Sequence, residues 1–230
     1  MSRSYQYKKC LVASLDVLGI KEKLCGDQSL AVLTALHDEF SQSIKEIKQD
    51  DKDFCVVNPY QFKVFSDNIA IVKELSNSRD LSVDLHNLAM FIMYFQARFW
   101  CRHQLISRGG IALGDCYVDD LMVLGPGLIE AYNLESLVAI YPRVILSPRL
   151  VDHANSLSFA PNDFAIDGDG YAYVDYISFW NKRLFTKEQK EEHMEFVRES
   201  LNNSKNDYVK QKYSWMLKKL EVVTTVNEEK

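Results

Sequence analysis

The chain has 230 residues, 47% apolar and 26% charged, proportions of a folded globular protein and not of a disordered chain, a collagen or a coiled-coil rod. Its 27 Lys and Arg stand against 32 Asp and Glu, a formal charge of −5, which argues against DNA or RNA as main partner, because that affinity comes largely from cations neutralising phosphates. The five cysteines, at 10, 25, 55, 101 and 116, form no CxxC pair, which argues against a disulfide framework or a zinc site and for a reducing compartment.

Residues 1–9 lead into no apolar stretch of signal-peptide form. Cys10–Leu15 is a short apolar run that reads as a buried strand and ends in Asp16. Asp27 is placed to cap a helix over Gln28–Lys48, where Leu30, Leu33, Leu36, Phe40, Ile44 and Ile47 recur at helical spacing. Asp50–Asp53 is expected to end it. Tyr60–Phe65 and Ile69–Val72 are rich in β-branched and aromatic residues and flank Ser66-Asp67-Asn68, a hairpin turn. Asp80–Gln104 is a second long helix, apolar all round and so heavily buried, with Phe91, Phe95 and Phe99 as a core stripe. Its most apolar part, Leu85–Trp100, carries His86, Gln96 and Arg98 and is too short to span a bilayer. A cytoplasmic protein without membrane contact is expected.

Ile106–Val118 reads as a strand with glycines at 109, 110 and 114. Gly125-Pro126-Gly127 opens a helix to about Ile140, and Arg143–Leu146 is another strand. Arg143 follows Pro142 and reads as structural. Asp167-Gly168-Asp169-Gly170 lacks the later Glu of an EF-hand loop and reads as a turn between strands Phe164–Ile166 and Tyr171–Ile177. Thr186–Leu201 and Asp207–Leu220 are charged helices. The fold class is α+β, helices packed on one sheet, with a domain over 1–180 and a C-terminal helical extension over 181–230.

Two carboxylates carry the chemistry. Asp16, at a strand end, is placed either to bind a metal or to cap a helix. Asp67, at the hairpin tip, is either a metal ligand or a turn residue bonded to its own backbone. If the first strand lies beside the hairpin, both face one edge. Two carboxylates with little His or Cys nearby suit Mg²⁺ or Mn²⁺, ions that accompany phosphates.

Four segments then carry a resemblance. Leu15-Asp16-Val17-Leu18-Gly19-Ile20 resembles the strand-end metal motif of class III nucleotide cyclases. Lys63-Val64-Phe65-Ser66-Asp67 resembles their second metal hairpin, with Ser66 in place of a glycine. Arg108-Gly109-Gly110-Ile111-Ala112-Leu113-Gly114 resembles their Arg-x-Gly-Ile-x-x-Gly strand. Gly125 to Glu135 resembles their Gly-Asp-x-Val-Asn helix. Order and spacing match over about residues 7–177, and the wording is closer to bacterial anti-phage pyrimidine cyclases (Pycsar) than to adenylate or guanylate enzymes.

The resemblance implies a ferredoxin-like βαββαβ core with extra strands and a head-to-tail homodimer with sites at its interface. It implies two Mn²⁺ or Mg²⁺ ions per site, held by Asp16, Asp67 and the Val17 carbonyl, and conversion of UTP or CTP to cyclic UMP or cyclic CMP. Backbone N–H groups at Leu18 and Gly19 are implied to hold phosphates. Lys63 and Met122 occupy the base-selecting positions, with Phe65 beside them. Met122 offers no acidic group for a purine amine, and Lys63 is suited to a uracil carbonyl or to pairing with a carboxylate. Ile129 and Asn133 stand where the family has its ribose-holding Asn and transition-state Arg. Asn133 and Arg108 are then the substitutes, expected from the partner subunit, with a surface ion pair as the other reading of Arg108. A cyclase-like module that binds nucleotide without turnover, and a purine cyclase, are the alternative functions.

Overall fold

Strand β1 (Lys8–Leu18) forms from the apolar run around Val12, and seven of its eleven residues are buried. The structure is a computed structural model that describes residues 6–25, 29–53, 60–76, 81–156, 164–183 and 186–228; the expectations for Asp27, Cys55 and Asp80 lie outside them. After β1 come a short helix α1 (Ile20–Leu24), the long helix α2 (Ser29–Asp53), strands β2 (Gln61–Phe65) and β3 (Asn68–Glu74), helix α3 (Leu81–His103) and strand β4 (Ile106–Val118). This is the βαββαβ order. In space the strands run β2-β3-β1-β4, the ferredoxin-like arrangement.

The chain continues with β5 (Val123–Leu124), α4 (Pro126–Asn133), a π-helical turn (Leu134–Val138), β6 (Val144–Leu146), α5 (Pro148–Ser156), β7 (Phe164–Ile166), β8 (Ala172–Val174), α6 (Tyr176–Arg183), α7 (Lys187–Asn203) and α8 (Asp207–Glu228). Among the described residues the strands form one eight-stranded sheet, β2-β3-β1-β4-β6-β8-β7, with β5 paired to β4. Only β4 and β6 run parallel there. The α+β class and the extra strands stand as read.

Side-chain alternation sorts the sheet into two faces. On one face α3 supplies Leu85, Leu88, Ile92, Phe95 and Phe99, all fully buried, and α2 adds Phe40, whose ring lies 5.4 Å from Phe95 and 5.2 Å from Phe99. Leu30 and Leu33 of α2, expected on its inner face, are exposed. On the other face α4 lies directly on the backbone of β4. A Cβ on Gly114 would come 2.5 Å from the Gly127 Cα, and one on Gly110 would come 2.4 Å from the Leu134 Cβ. Glycine is required there by close approach.

Several boundaries differ from expectation. Helix α2 runs through Asp53 instead of breaking at Asp50. The helix from Gly125 does not reach Ile140 as one α-helix: it gives way to the π turn at Leu134. The strand read to Ile177 stops at Val174, because Asp175 Oδ1 accepts the Ser178 N–H at 3.1 Å and opens α6 at Tyr176. No helix among the described residues is long and apolar enough to cross a membrane.

At the far edge of the sheet, Arg143 is wholly buried and paired with both acids of the Asp167–Gly170 turn, at 2.5 Å to Asp167. Helix α8 closes on the same turn. Trp215 Nε1 donates to Asp167 at 2.6 Å and Lys219 Nζ at 3.0 Å. Burial alone would raise the Asp167 carboxyl, but these bonds, the Gly168 N–H and the Arg143 guanidinium hold it below its ordinary value. The turn is structural, as read, and so is Arg143.

Candidate active site

Three elements bring the two carboxylates together. In the β1–β3 register Asp16 faces Asn68, the residue after Asp67. The Val17 N–H donates to the Asp67 carbonyl at 3.0 Å and ties the hairpin tip to the end of β1. Asp16 therefore sits inside a strand and not at a helix N-cap. The hairpin turn is two residues long, with Phe65 opposite Asn68. Ser66 has φ +58°, the left-handed region that favours the glycine of the resembled motif, and a short polar side chain tolerates it. Gly19, with φ +82°, turns the chain sharply from Leu18 into α1.

Arg108 lies directly across β4 from Asp16. Its Nε donates to Asp16 Oδ2 at 3.0 Å, and its Nη2 reaches Glu135 Oε1, also at 3.0 Å. Arg108, expected to arrive from a partner subunit, is here engaged by two carboxylates of its own chain. It is also no surface ion pair, since its side chain is 23% exposed and that of Glu135 only 3%. Burial pushes the Glu135 carboxyl up to about 7; Arg108 opposes the rise and the negative charges of Asp16 and Asp67 add to it.

Glu135 is the site residue that sequence reasoning missed. It was part of the quoted glycine-helix segment but had no role there. A signal existed: Gly127, Ala131 and Glu135 are spaced by four, so small residues and one acid share the face that meets the glycine strand. The π turn then carries Glu135 into the sheet side; such one-turn widenings gather at functional sites.

The donor set fits a divalent ion of the magnesium or manganese kind. Asp16, Asp67 and the Val17 carbonyl offer oxygen only, the class these ions take together with phosphate oxygens. Among the described residues there is no group of three or more His, Cys, Asp or Glu arranged to hold a metal. A site with two carboxylates would thus leave its other positions to substrate and water.

The two positions that the resemblance implies for base selection, Lys63 and Met122, also come together within one chain. Asp119 Oδ1 accepts the Leu121 and Met122 N–H groups at 2.8 Å each and shapes the turn before β5. Lys63 Nζ donates to the Asp120 carbonyl of that turn. Lys63 and Met122 are therefore neighbours, and Lys63 bonds a main-chain carbonyl there instead of a carboxylate. Phe65 is 84% exposed. Asn133 is set apart from the Asp16–Arg108 pair. It ends α4 on the exposed side and lines a shallow groove of about 420 Å³ with Pro126, Ile129 and Leu137.

No family model and no curated protein matches the chain. Among solved structures it is similar to the crystal structure of an adenylate/guanylate cyclase/hydrolase from Silicibacter pomeroyi, at 14% identity and a TM-score of 0.47, over 74% of this chain and 96% of that one. It is also similar to a bacterial light-regulated adenylyl cyclase, at 13% identity and a TM-score of 0.44, over 74% and 92%.

Proposed function

We propose that the chain is a nucleotide cyclase acting on a pyrimidine nucleoside triphosphate, UTP in preference to CTP, and releasing diphosphate, as a second-messenger synthase in anti-phage defence. The observation that carries this reading is the adjacency of Asp16 and Asp67 at one end of the β1–β3 strand pair, fixed by its register and by the Val17–Asp67 backbone bond. Order and type of residue in the four resembled segments support it.

Cyclisation is an in-line attack of the ribose 3′-oxygen on the α-phosphate, so it asks for positioning and charge neutralisation more than for covalent chemistry. Mn²⁺ or Mg²⁺, when bound, supplies neutralisation of the triphosphate and a lowered pKa for the 3′-hydroxyl. Asp16, Asp67 and the Val17 carbonyl would hold it. Lys63 keeps two donors beyond its bond to Asp120 and offers one to a pyrimidine carbonyl. Met122 gives no acceptor for an exocyclic amine. A second copy of the chain covers the exposed apolar side chains Leu121, Leu124, Ile129, Tyr132 and Leu137 on the α4 side and brings its Asn133 helix to the site.

The test is incubation of the purified chain with Mn²⁺ and each of the four triphosphates, with cyclic product detected by mass spectrometry. Cyclic UMP is expected; no cyclic nucleotide from any of them refutes the reading. One observation favours the alternative of binding without turnover: Arg108 is already held by Asp16 and Glu135, and Asn133 is no arginine. Under that alternative UTP binds by calorimetry and no product forms.

A further inference from the structure

We infer that Glu135 is a positioning residue that holds Arg108 so that Asp16 can let it go. The inference rests on the reading of Asp16 as a metal ligand. Arg108 is shared: Nε bonds Asp16 and Nη2 bonds Glu135, each at 3.0 Å. The two carboxylates differ in setting. Asp16, on a central strand, keeps 14% of its side chain exposed, while Glu135, within the π turn, keeps only 3%.

A cation that takes Asp16 Oδ2, alone or with Oδ1, must displace the guanidinium. With Glu135 in place, the displaced Arg108 keeps a charged partner and needs no new one. Without it, Arg108 would become a largely covered, unpaired cation, so Asp16 would retain it. A charge-assisted bond is roughly twice as strong as a neutral one, so an amide at 135 is a weaker anchor. The anchor is built into the fold. Gly110 leaves no room for a side chain beneath Leu134 and Ala131, which sets the π turn, and with it Glu135, against the strand that carries Arg108.

The experiment has two readouts on the full chain, both taken at about pH 8, above the value of about 7 to which burial raises the Glu135 carboxyl, so that the anchor is charged. The first needs no metal: rotation of the Arg108 guanidinium about its Nε–Cζ bond, followed by ¹⁵N NMR and assigned by loss of the signal in Arg108→Gln. Anchors at both Nε and Nη2 slow it in the native protein. It should speed up several-fold in Glu135→Gln and stay slow in Glu135→Asp, which keeps the charge and guards against a variant that does not fold. The second is Mn²⁺ affinity without nucleotide, read by EPR of the free ion. Glu135→Gln should weaken it by about tenfold to a hundredfold, the usual effect of removing a partner behind a ligand. In an Arg108→Gln background the same change should have little effect.

Unchanged rotation in Glu135→Gln overturns the proposal. So does an equal loss of Mn²⁺ affinity with and without Arg108, since Glu135 would then act by its own charge. If rotation responds as stated but the native chain binds no Mn²⁺, the positioning of Arg108 stands and the metal reading of Asp16 falls.

Discussion

Glu135 also makes the protein's stability fall with rising pH, by an amount that can be worked out. Its carboxyl rises from an ordinary 4.5 to about 7, chiefly through burial. The native state therefore binds more protons than the unfolded state between pH 4.5 and 7. Stability changes with pH as the protons of the unfolded state minus those of the native state, so the slope in that window is negative. Each tenfold of proton affinity is worth about 1.4 kcal/mol, which makes the full effect about 3 kcal/mol. Glu135→Gln has no proton to lose. The difference in unfolding free energy between native protein and variant should thus change by about 3 kcal/mol in the variant's favour from pH 4.5 to 7. Urea unfolding in metal-free buffer at half-unit pH steps measures it, with equal m-values in both proteins as the condition for comparison. Taking the difference cancels every other titrating group that the substitution leaves alone. Curves that run parallel across the window refute the argument that Glu135 is held protonated by burial.

Asp67→Ala should abolish cyclic product while leaving the unfolding free energy within about 1 kcal/mol, because the Asp67 main chain ties down the hairpin and its side chain accepts only one bond, from Asn68 Nδ2 at 3.1 Å; residual full activity would remove Asp67 from the site. Gly110→Ala should destabilise the fold by about 1–3 kcal/mol, since its Cβ would land 2.4 Å from the Leu134 Cβ, and a thermal melt at the native temperature would contradict the packing described. Lys63→Ala should lower the ratio of kcat/KM for UTP over CTP; an unchanged ratio would show that Lys63 does not read the base.

The central architecture was legible because its signals were local. Strand β4 falls on the expected Ile106–Val118 bounds, since three glycines within thirteen residues weigh against a helix. The hairpin was announced by polar residues between two apolar runs, and Phe91, Phe95 and Phe99 do pack as helix core. What could not be read was set by choices that composition leaves open or by partners distant in sequence. Asp50–Asp53 looks like a helix stop but continues α2. Tyr171–Ile177 has the aromatic and β-branched content of a strand, and only the Asp175 cap converts its end to helix. In the site, Asp16 and Asp67 followed from pattern, whereas the attachment of Arg108 to its own chain needed the β1–β4 register and the π turn. Neither leaves a mark in residue spacing beyond the Gly127–Ala131–Glu135 stripe.

The clasp of α8 on the Asp167 turn has a consequence for the order in which the protein becomes whole. Trp215 and Lys219 follow Asp167 by 48 and 52 positions. A ribosome adds about 5–20 residues per second, so Asp167 and Arg143 wait roughly 3–10 s for these partners. During that interval the sheet's far edge holds a covered arginine facing two acids with the α8 side open to water, and the Tyr141 and Tyr173 rings that later meet Trp215 are uncovered. The parallel β4–β6 pairing hangs on the same spot, because the Arg143 carbonyl accepts the Gly109 N–H beside Arg108. Nascent chains arrested before α8 has emerged should therefore be cut by protease near β7 and β8 while the β1–β4 half already resists. The half that carries the two carboxylates is thus finished first, and the helix that seals the opposite edge comes after it.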